Sequence, residues 1–406
     1  MKQILYLIIN YIMTSSKSIF LISLVLHLPL TSCGDRKHKT ENICRDISIE
    51  AITLDINPTK HAEIPFHKYF SDIELIPLET SEKAIIKNVG KIICYNENYY
   101  VLDDAQNSLL IFNKDGTLNG TLTKKGRGPG EYMELYDFNI NHFTGNIEIL
   151  DPRGKIFVYS QEYDFIETIS IGIRATHRFH NINRDTIVFY TSSEFQKLTF
   201  YSRNRDSVIK RDYSYDKIPN TNVFPKYGNI SPFSHFDGKT LFQVPYDNNI
   251  YDITDCNLKI HHIINFGKYG IEPEEIPKGR DDYFYIRYYN ELNNKAFSIL
   301  CYYEFSEIVL SAYLFNGLGY GLIFNKKNHL VDIVHRYSDG PFYRIFNNID
   351  GNDGLRISSM DSTHLELYSN LLSEKQIEIL KDVKPGDNMV ISRYKLADRL
   401  NEKVKN

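Results

Sequence analysis

The polar residues best placed for chemistry sit in short stretches between apolar runs. Asp103-Asp104-Ala105-Gln106-Asn107 follows one such run, Asp151-Pro152-Arg153-Gly154 follows another, and Gly126-Arg127-Gly128-Pro129-Gly130-Glu131-Tyr132 lies between them. Arg174 and His177 come next, then Asp247 and Asn248. Acids, arginines and a tyrosine gathered round a concave mouth would suit a polar ligand or a peptide, with the ring supplying flat contact area. Each stretch also has a plainer use. Gly126, Gly128 and Gly130 permit backbone angles that other residues resist, and Pro129 stiffens the turn. Asp103 and Asp151 occupy equivalent places after their runs, which suggests a repeated turn cap rather than a catalytic pair. Glu131 is expected to pair with a neighbouring element rather than to perform catalysis.

Other chemistries fail on spacing. No Gly-Lys-Ser/Thr and no helical pattern follow the three glycines, which excludes a phosphate loop of the Walker type. There is no Gly-x-Ser-x-Gly elbow. Thirteen histidines show no ligand spacing, and His27, His38, His61 and His67 fall in the N-terminal region. His177 and His180 are three apart in a predicted strand and His261-His262 are adjacent, so each pair is expected to point to opposite faces and to share no metal. The acidic pairs Glu274-Glu275 and Asp281-Asp282 read as solvated. Neither a cofactor nor a metal is expected.

The elements that must hold these residues follow from composition and periodicity. A chain of 406 residues exceeds the ~250–300 at which single cores stop growing, so it divides or repeats. Lys plus Arg is 47 against 51 for Asp plus Glu, a net charge of −4, which lacks the basic surplus of a nucleic-acid binder. Hydrophobic residues at 42% and charged residues at 24% exclude wholesale disorder. Thirty Tyr and 24 Phe with no Trp favour pleated, half-buried strands, hence an all-β protein.

Residues 1–32 read as an export signal. Lys2 and Lys17 are their only charges, and residues 18–30 are apolar apart from Ser18 at their start, Ser23, His27 and Pro29. A start at Met13 would give a more ordinary signal. The apolar stretch is short for a membrane span of ~20 residues, and it ends at Leu30-Thr31-Ser32-Cys33-Gly34. That run resembles a bacterial lipobox, which implies lipidation of Cys33 and a membrane anchor; Gly34 in place of Asp resembles outer-membrane destination. Removal of the signal takes away two lysines and no acid, moving the net charge to −6. Cys44, Cys94, Cys256 and Cys301 then remain, without a CxxC. Residues 33–70 are expected to be the lipidated N-terminus and a linker, and 399–406 a tail.

A strand–turn–strand pair recurs along the rest. Its copies are residues 99–103 with 108–112, 146–151 with 155–159, 186–190 with 198–201, 240–243 with 249–253, and 308–310 with 320–324. Phe112, Tyr159, Tyr201, Tyr251 and Phe324 mark equivalent places at steps of 47, 42, 50 and 73. The first three steps match the ~40–50-residue spacing of propeller blades. The long step holds an insertion at 267–295, ending in the helix-like Asn290-Glu291-Leu292-Asn293-Asn294-Lys295. A sixth pair, 355–359 with 389–394, is split by residues 371–382, whose apolar spacing is helical. Nothing after Leu396 can form an outer strand, while Ile73-Glu74-Leu75-Ile76-Pro77-Leu78 alternates as a strand without a blade of its own. The fold expected over 71–398 is therefore a six-bladed β-propeller of four-stranded blades, closed by an N-terminal strand in the last blade. Closure removes open sheet edges.

The stretch Leu122-Thr123-Lys124-Lys125-Gly126-Arg127-Gly128-Pro129-Gly130-Glu131-Tyr132 carries a resemblance. With Ile76-Pro77-Leu78-Glu79-Thr80, Ile111-Phe112-Asn113-Lys114-Asp115-Gly116 and Tyr394-Lys395-Leu396, it is similar to the bacterial six-bladed β-propeller lipoproteins related to NHL-repeat proteins. That resemblance implies a fold and an address, and no catalytic residues. In such blades the outer-to-inner crossover and the loop between the middle strands open on one face. Asp103, Asp104, Gln106, Asn107, Arg127, Glu131, Tyr132, Asp151, Arg153, Arg174, His177 and Asp247 are then expected on one rim of the channel. The expected function is a cell-envelope binding module for a glycan, peptide or protein partner. A propeller enzyme (lyase, lactonase or glycan hydrolase) working at the channel mouth is the alternative; a hydrolase would need two opposed carboxylates there.

Overall fold

The computed structural model describes residues 51–397 except 175–176, 192–195, 215–230, 246, 272–274, 278–283, 285–286, 289–290, 340–345 and 352. The export signal, Cys33, Glu274, Asp281-Asp282 and the tail lie outside the described residues, while Glu275 is exposed and paired with Lys295 at 2.9 Å.

Two strands precede the first blade, β1 (Ile52–Asp55) and β2 (Phe70–Pro77). Blade one is β3 (Val89–Tyr95), β4 (Asn98–Asp103), β5 (Ser108–Asn113) and β6 (Leu118–Leu122). Blade two is β7 (Asp137–Ile140), β8 (Ile147–Asp151), β9 (Lys155–Tyr159) and β10 (Phe165–Ser170). Blade three is β11 (Arg178–Asn181), β12 (Thr186–Tyr190), β13 (Gln196–Ser202) and β14 (Ser207–Ser214). Blade four holds β15 (Phe233–Phe236), β16 (Lys239–Phe242), β17 (Asn249–Asp252) and β18 (Lys259–Asn265). Blade five is β19 (Ala296–Glu304), β20 (Ile308–Phe315), β21 (Leu318–Asn325) and β22 (Val331–Val334). Blade six is β23 (Asn348–Asp350), β24 (Asp353–Ser358), β25 (Val390–Leu396) and, outermost, β2.

The ring closes as the pattern required. β2 runs antiparallel to β25, with Ile73 opposite Tyr394 and Ile76 opposite Ile391. Each pair of facing blades packs its own apolar layer. Between blades one and two, for example, Tyr100, Leu109 and Ile111 meet Phe138, Ile149 and Phe157. Between blades six and one, Leu355 and Ile391 meet Val101 and Phe112. The middle strands are thus covered on both sides, and β8 and β12 are buried at every position. That double burial makes them read as continuous apolar runs rather than alternating ones.

Ahead of β2 the chain forms a belt across three blades. β1 adds in parallel to β18 and gives blade four a fifth strand, Ile52 lying opposite His262. The Ala62 amide then donates to Ile333 O at 3.1 Å, and Ile64 bridges to Tyr337 beside blade five. Phe66 is fully buried and stacks on Phe70 at 5.0 Å, among Tyr337, Phe346 and Tyr394.

The insertion in blade six carries two helices, α1 (Leu365–Tyr368) and α2 (Glu374–Asp382). Ser373 caps α2 by accepting from the Gln376 amide. Gln376 Oε1 in turn accepts from the Leu75 amide at 2.7 Å, which fastens the helix to the closing strand. In the insertion before blade five, Ile276, Phe284, Tyr288 and Leu292 pack on Phe297 and Leu314. Asn290 lies outside the described residues, and residues 292–295 are not helical.

Candidate functional site

The inner strand of each blade leaves a crossover at one end of the channel, here the upper end, and turns into the second strand at the lower end. The rim loops lie at the upper end. Their carboxylates are largely taken up by the loops themselves. Asp103, fully buried at the end of β4, accepts from the amides of Lys87 (2.6 Å), Asn88 (3.3 Å) and Gln106 (3.1 Å), and from Gln106 Nε2 (2.7 Å). Lys87 and Asn88 belong to the crossover entering blade one. Asp151, equally buried at the end of β8, accepts from the Met133 amide (3.0 Å) in the crossover entering blade two. It also receives Arg153 Nε at 2.8 Å and a second guanidinium nitrogen at 2.6 Å. Burial alone would raise the Asp151 carboxyl, but the Arg153 and backbone hydrogen bonds outweigh it and hold it below the usual range. Asp247 accepts from the hydroxyls of Tyr213 and Tyr251, both at 2.8 Å. In blades one and two, then, an aspartate of the middle loop holds the crossover that enters its blade, while Asp247 ties the outer strand of blade three to a middle strand of blade four.

The glycine-rich loop is similarly self-contained. Glu131, expected to pair with a neighbouring element, instead folds back on its own loop, where Oε2 accepts from the Gly128 amide at 2.8 Å. A Cβ on Gly126 would lie 1.9 Å from that oxygen, so the approach needs glycine. Gly130 has φ +71°, and its carbonyl accepts from the Tyr159 hydroxyl at 2.7 Å. Tyr132 is fully buried, its hydroxyl bonding the carbonyls of Asn107 and Leu122, and burial pushes its pKa up to about 12. Asn107 Oδ1 accepts from the Leu135 amide at 3.0 Å, and Gln106 Nε2 donates to Ile85 O at 2.8 Å. His177 is buried against Tyr136, with ring centres 5.8 Å apart.

What remains exposed on this rim is mostly cationic. Lys87, Lys124, Lys125, Arg127, Arg153 and Arg174 are exposed, and among the described residues only Arg153 of these makes an ion pair. Asp104, Glu82 and Glu134 are the exposed acids of the same loops.

Deeper in the wall the charges tie blade to blade. Lys91 on β3 bonds Asp137 on β7 at 2.9 Å, and the other Asp137 oxygen accepts from the Phe179 amide on β11. Glu148 receives Asn141, Asn181 and Arg203 at 2.9, 2.9 and 2.7 Å. Arg393 holds Asp350 and Asp353 beside the closing strand. A cleft of about 840 Å³ opens at this closure, lined among others by Glu74, Pro77, Thr80, Tyr99, Lys375 and Arg393.

One expectation is overturned. His261 and His262 do not point apart, because β18 bulges. Ile250 pairs with His262 and the next residue, Tyr251, with Ile260, which leaves His261 as the extra residue. The two rings come to 4.4 Å, and with Glu304 they bring three donor atoms within 4.8 Å of one another. Every donor is engaged, however. Glu304 meets His261 Nε2 and Lys326 Nζ, both at 2.7 Å, and His262 bonds the Tyr302 hydroxyl. Burial opposes the charge of Glu304, yet the His261 and Lys326 hydrogen bonds take its pKa down to about 2. Burial and the neighbouring His261 take His262 down to about 4. With a lysine already on its carboxylate, this cluster is a tie between blades four and five.

At the lower end, residues outside the expected set converge. His142 follows β7, His180 lies on β11 and His235 on β15, one in each of three successive blades. Their ring centres are 5.7 Å (142–180), 5.7 Å (142–235) and 6.5 Å (180–235) apart. Sequence spacing hides them, because only the position of each inner strand shows that they share one end.

Six four-stranded sheets round a channel, the fourth extended by the belt, make this a six-bladed β-propeller. Residues 50–395 match the family described as a domain of unknown function, DUF4934, and the chain belongs to that family. It is similar in structure to a protein of Bacteroides fragilis NCTC 9343 described as exported, at 16% identity over 85% of this chain and 99% of that one, with a TM-score of 0.66. A DUF4221-family member from Bacteroides vulgatus matches at 8% identity over 81% and 98%, with a TM-score of 0.52. Both likenesses concern the fold. No curated protein matches.

Proposed function

We propose that this protein is a cell-envelope binding module whose upper rim, over blades one to three, takes an anionic partner, whether glycan, peptide or protein. One observation carries the reading: the acids Asp103 and Asp151 are turned inward onto crossover amides, while Lys87, Lys124, Lys125, Arg127 and Arg174 stay exposed on the same loops. Sequence alone gives a rim of mixed sign. Folding removes much of the negative half, so the chain carries a local basic face despite its net −4. Address supports the reading. The lipobox-like run at Cys33 would anchor the protein to a membrane, outer-membrane destination following from Gly34, and a structurally similar protein is described as exported. The kinship to NHL-repeat lipoproteins belongs to the same proposal.

The test is a titration of the folded protein with polygalacturonate, polyglutamate and a neutral dextran at rising salt. The reading expects binding to one or both polyanions, weakened by salt, and about tenfold weaker in a Lys124→Ala/Arg127→Ala/Arg174→Ala variant. Equal binding of dextran, or a variant that binds polyanions as well as the parent, would overturn it.

A further inference from the structure

We propose that His142, His180 and His235 form a transition-metal site at the lower mouth of the channel, with water or an incoming ligand in the remaining positions. Three imidazoles from three blades meet there without a carboxylate among them. His180 is the fixed member. It stacks on Phe233 with ring centres 6.0 Å apart, and its Nδ1 faces the Asn139 amide at 3.5 Å. Its Nε2 is sealed from water and has no hydrogen-bond partner. A buried ring nitrogen without a partner is a desolvation cost that a bound ion would relieve. For Nε2 to hold an ion, Nδ1 must carry the proton, so the Asn139 side-chain amide has to turn its oxygen towards Nδ1, the kind of acceptor that orients a metal-ligating histidine.

His142 and His235 are exposed, which leaves their rings free to turn. With Zn–N bonds of about 2.0–2.1 Å, rings on a tetrahedral ion stand about 5 Å apart, centre to centre. The observed 5.7, 5.7 and 6.5 Å lie just outside that. Among the described residues only the His261 group already brings three donor atoms within 4.8 Å, so the His180 site closes on its ion rather than waiting preformed. Lys91, the nearby cation, is already paired with Asp137. Three imidazoles with an open position suit Zn²⁺, Co²⁺, Ni²⁺ or Cu²⁺ rather than Ca²⁺ or Mg²⁺.

The experiment uses the chelator-treated protein without a polyhistidine tag, titrated with Zn²⁺ by calorimetry and with Co²⁺ by visible absorption. One ion per chain is expected, with affinity at least about tenfold lower in His180→Ala and in the exposed-site variants His142→Gln and His235→Gln. His262→Ala should bind as the parent does. Absence of binding in the parent, or full binding in the folded His142→Gln and His235→Gln proteins, overturns the site. Loss in His262→Ala with retention in His180→Ala would also overturn it, assigning the ion to the blade four–five tie.

Discussion

The two ends of the channel treat their polar side chains differently. At the upper end, Asp103 and Asp151 each hold the crossover into their blade. At the lower end, His180 keeps an unpartnered nitrogen and its two neighbours stay exposed. The cause is the backbone nearby. A crossover leaves the sheet and carries amides that no strand satisfies, and a buried amide must find an acceptor. A short hairpin closes on itself, as when the Asn141 amide donates to Asn146 O and Gly145 donates back to Asn141 O. The buried acids beside the crossovers become structural, while the three histidines near the hairpins are left over.

The contrast can be broken, most severely through the upper acids. Asp103→Ala strands the amides of Lys87, Asn88 and Gln106 and should cost about 2–3 kcal/mol in denaturant unfolding. A cost near zero would mean that the loop satisfies itself some other way. Glu304→Gln should cost somewhat less, about 1–2 kcal/mol, because Lys326 is a quarter exposed and can turn to water.

Acid sharpens the comparison further. His262 has its folded pKa depressed from 6.5 to about 4, so its contribution is present above pH 6.5 and is lost as pH falls from there towards 4. Glu304, depressed from 4.5 to about 2, adds a second loss below pH 4.5. A melting temperature followed from pH 7 to 3 should fall in both windows. Glu304→Gln should remove the lower one.

The smallest effect on stability is expected from the exposed cations. Arg127→Ala/Arg174→Ala should change unfolding by less than about 0.5 kcal/mol while weakening polyanion binding. A large loss of stability would place these arginines with the structural ties.

The ring was legible because its middle strands are buried on both faces. Leu109-Leu110-Ile111-Phe112 and Ile187-Val188-Phe189-Tyr190 announce themselves as apolar runs, and the alternation of Ile73-Glu74-Leu75-Ile76 marks the closing strand. The repeated place of Asp103 and Asp151 was legible for the same reason. The belt was not: β1 is four residues, three of them exposed, and it pairs with a strand some 200 positions away. The bulge at His261 was hidden too, since one extra residue reverses a facing that alternation would assign. The lower histidines stayed invisible because β7, β11 and β15 are four-residue strands that mix polar with apolar residues and so break the apolar pattern.

The most direct test of this division is amide hydrogen exchange at Lys87, Gln106 and Met133, three loop amides whose acceptors are the buried carboxylates of Asp103 and Asp151. The account predicts protection comparable to the neighbouring strands, lost at Lys87 and Gln106 in Asp103→Ala. Exchange in the parent as fast as in an open surface loop would contradict it.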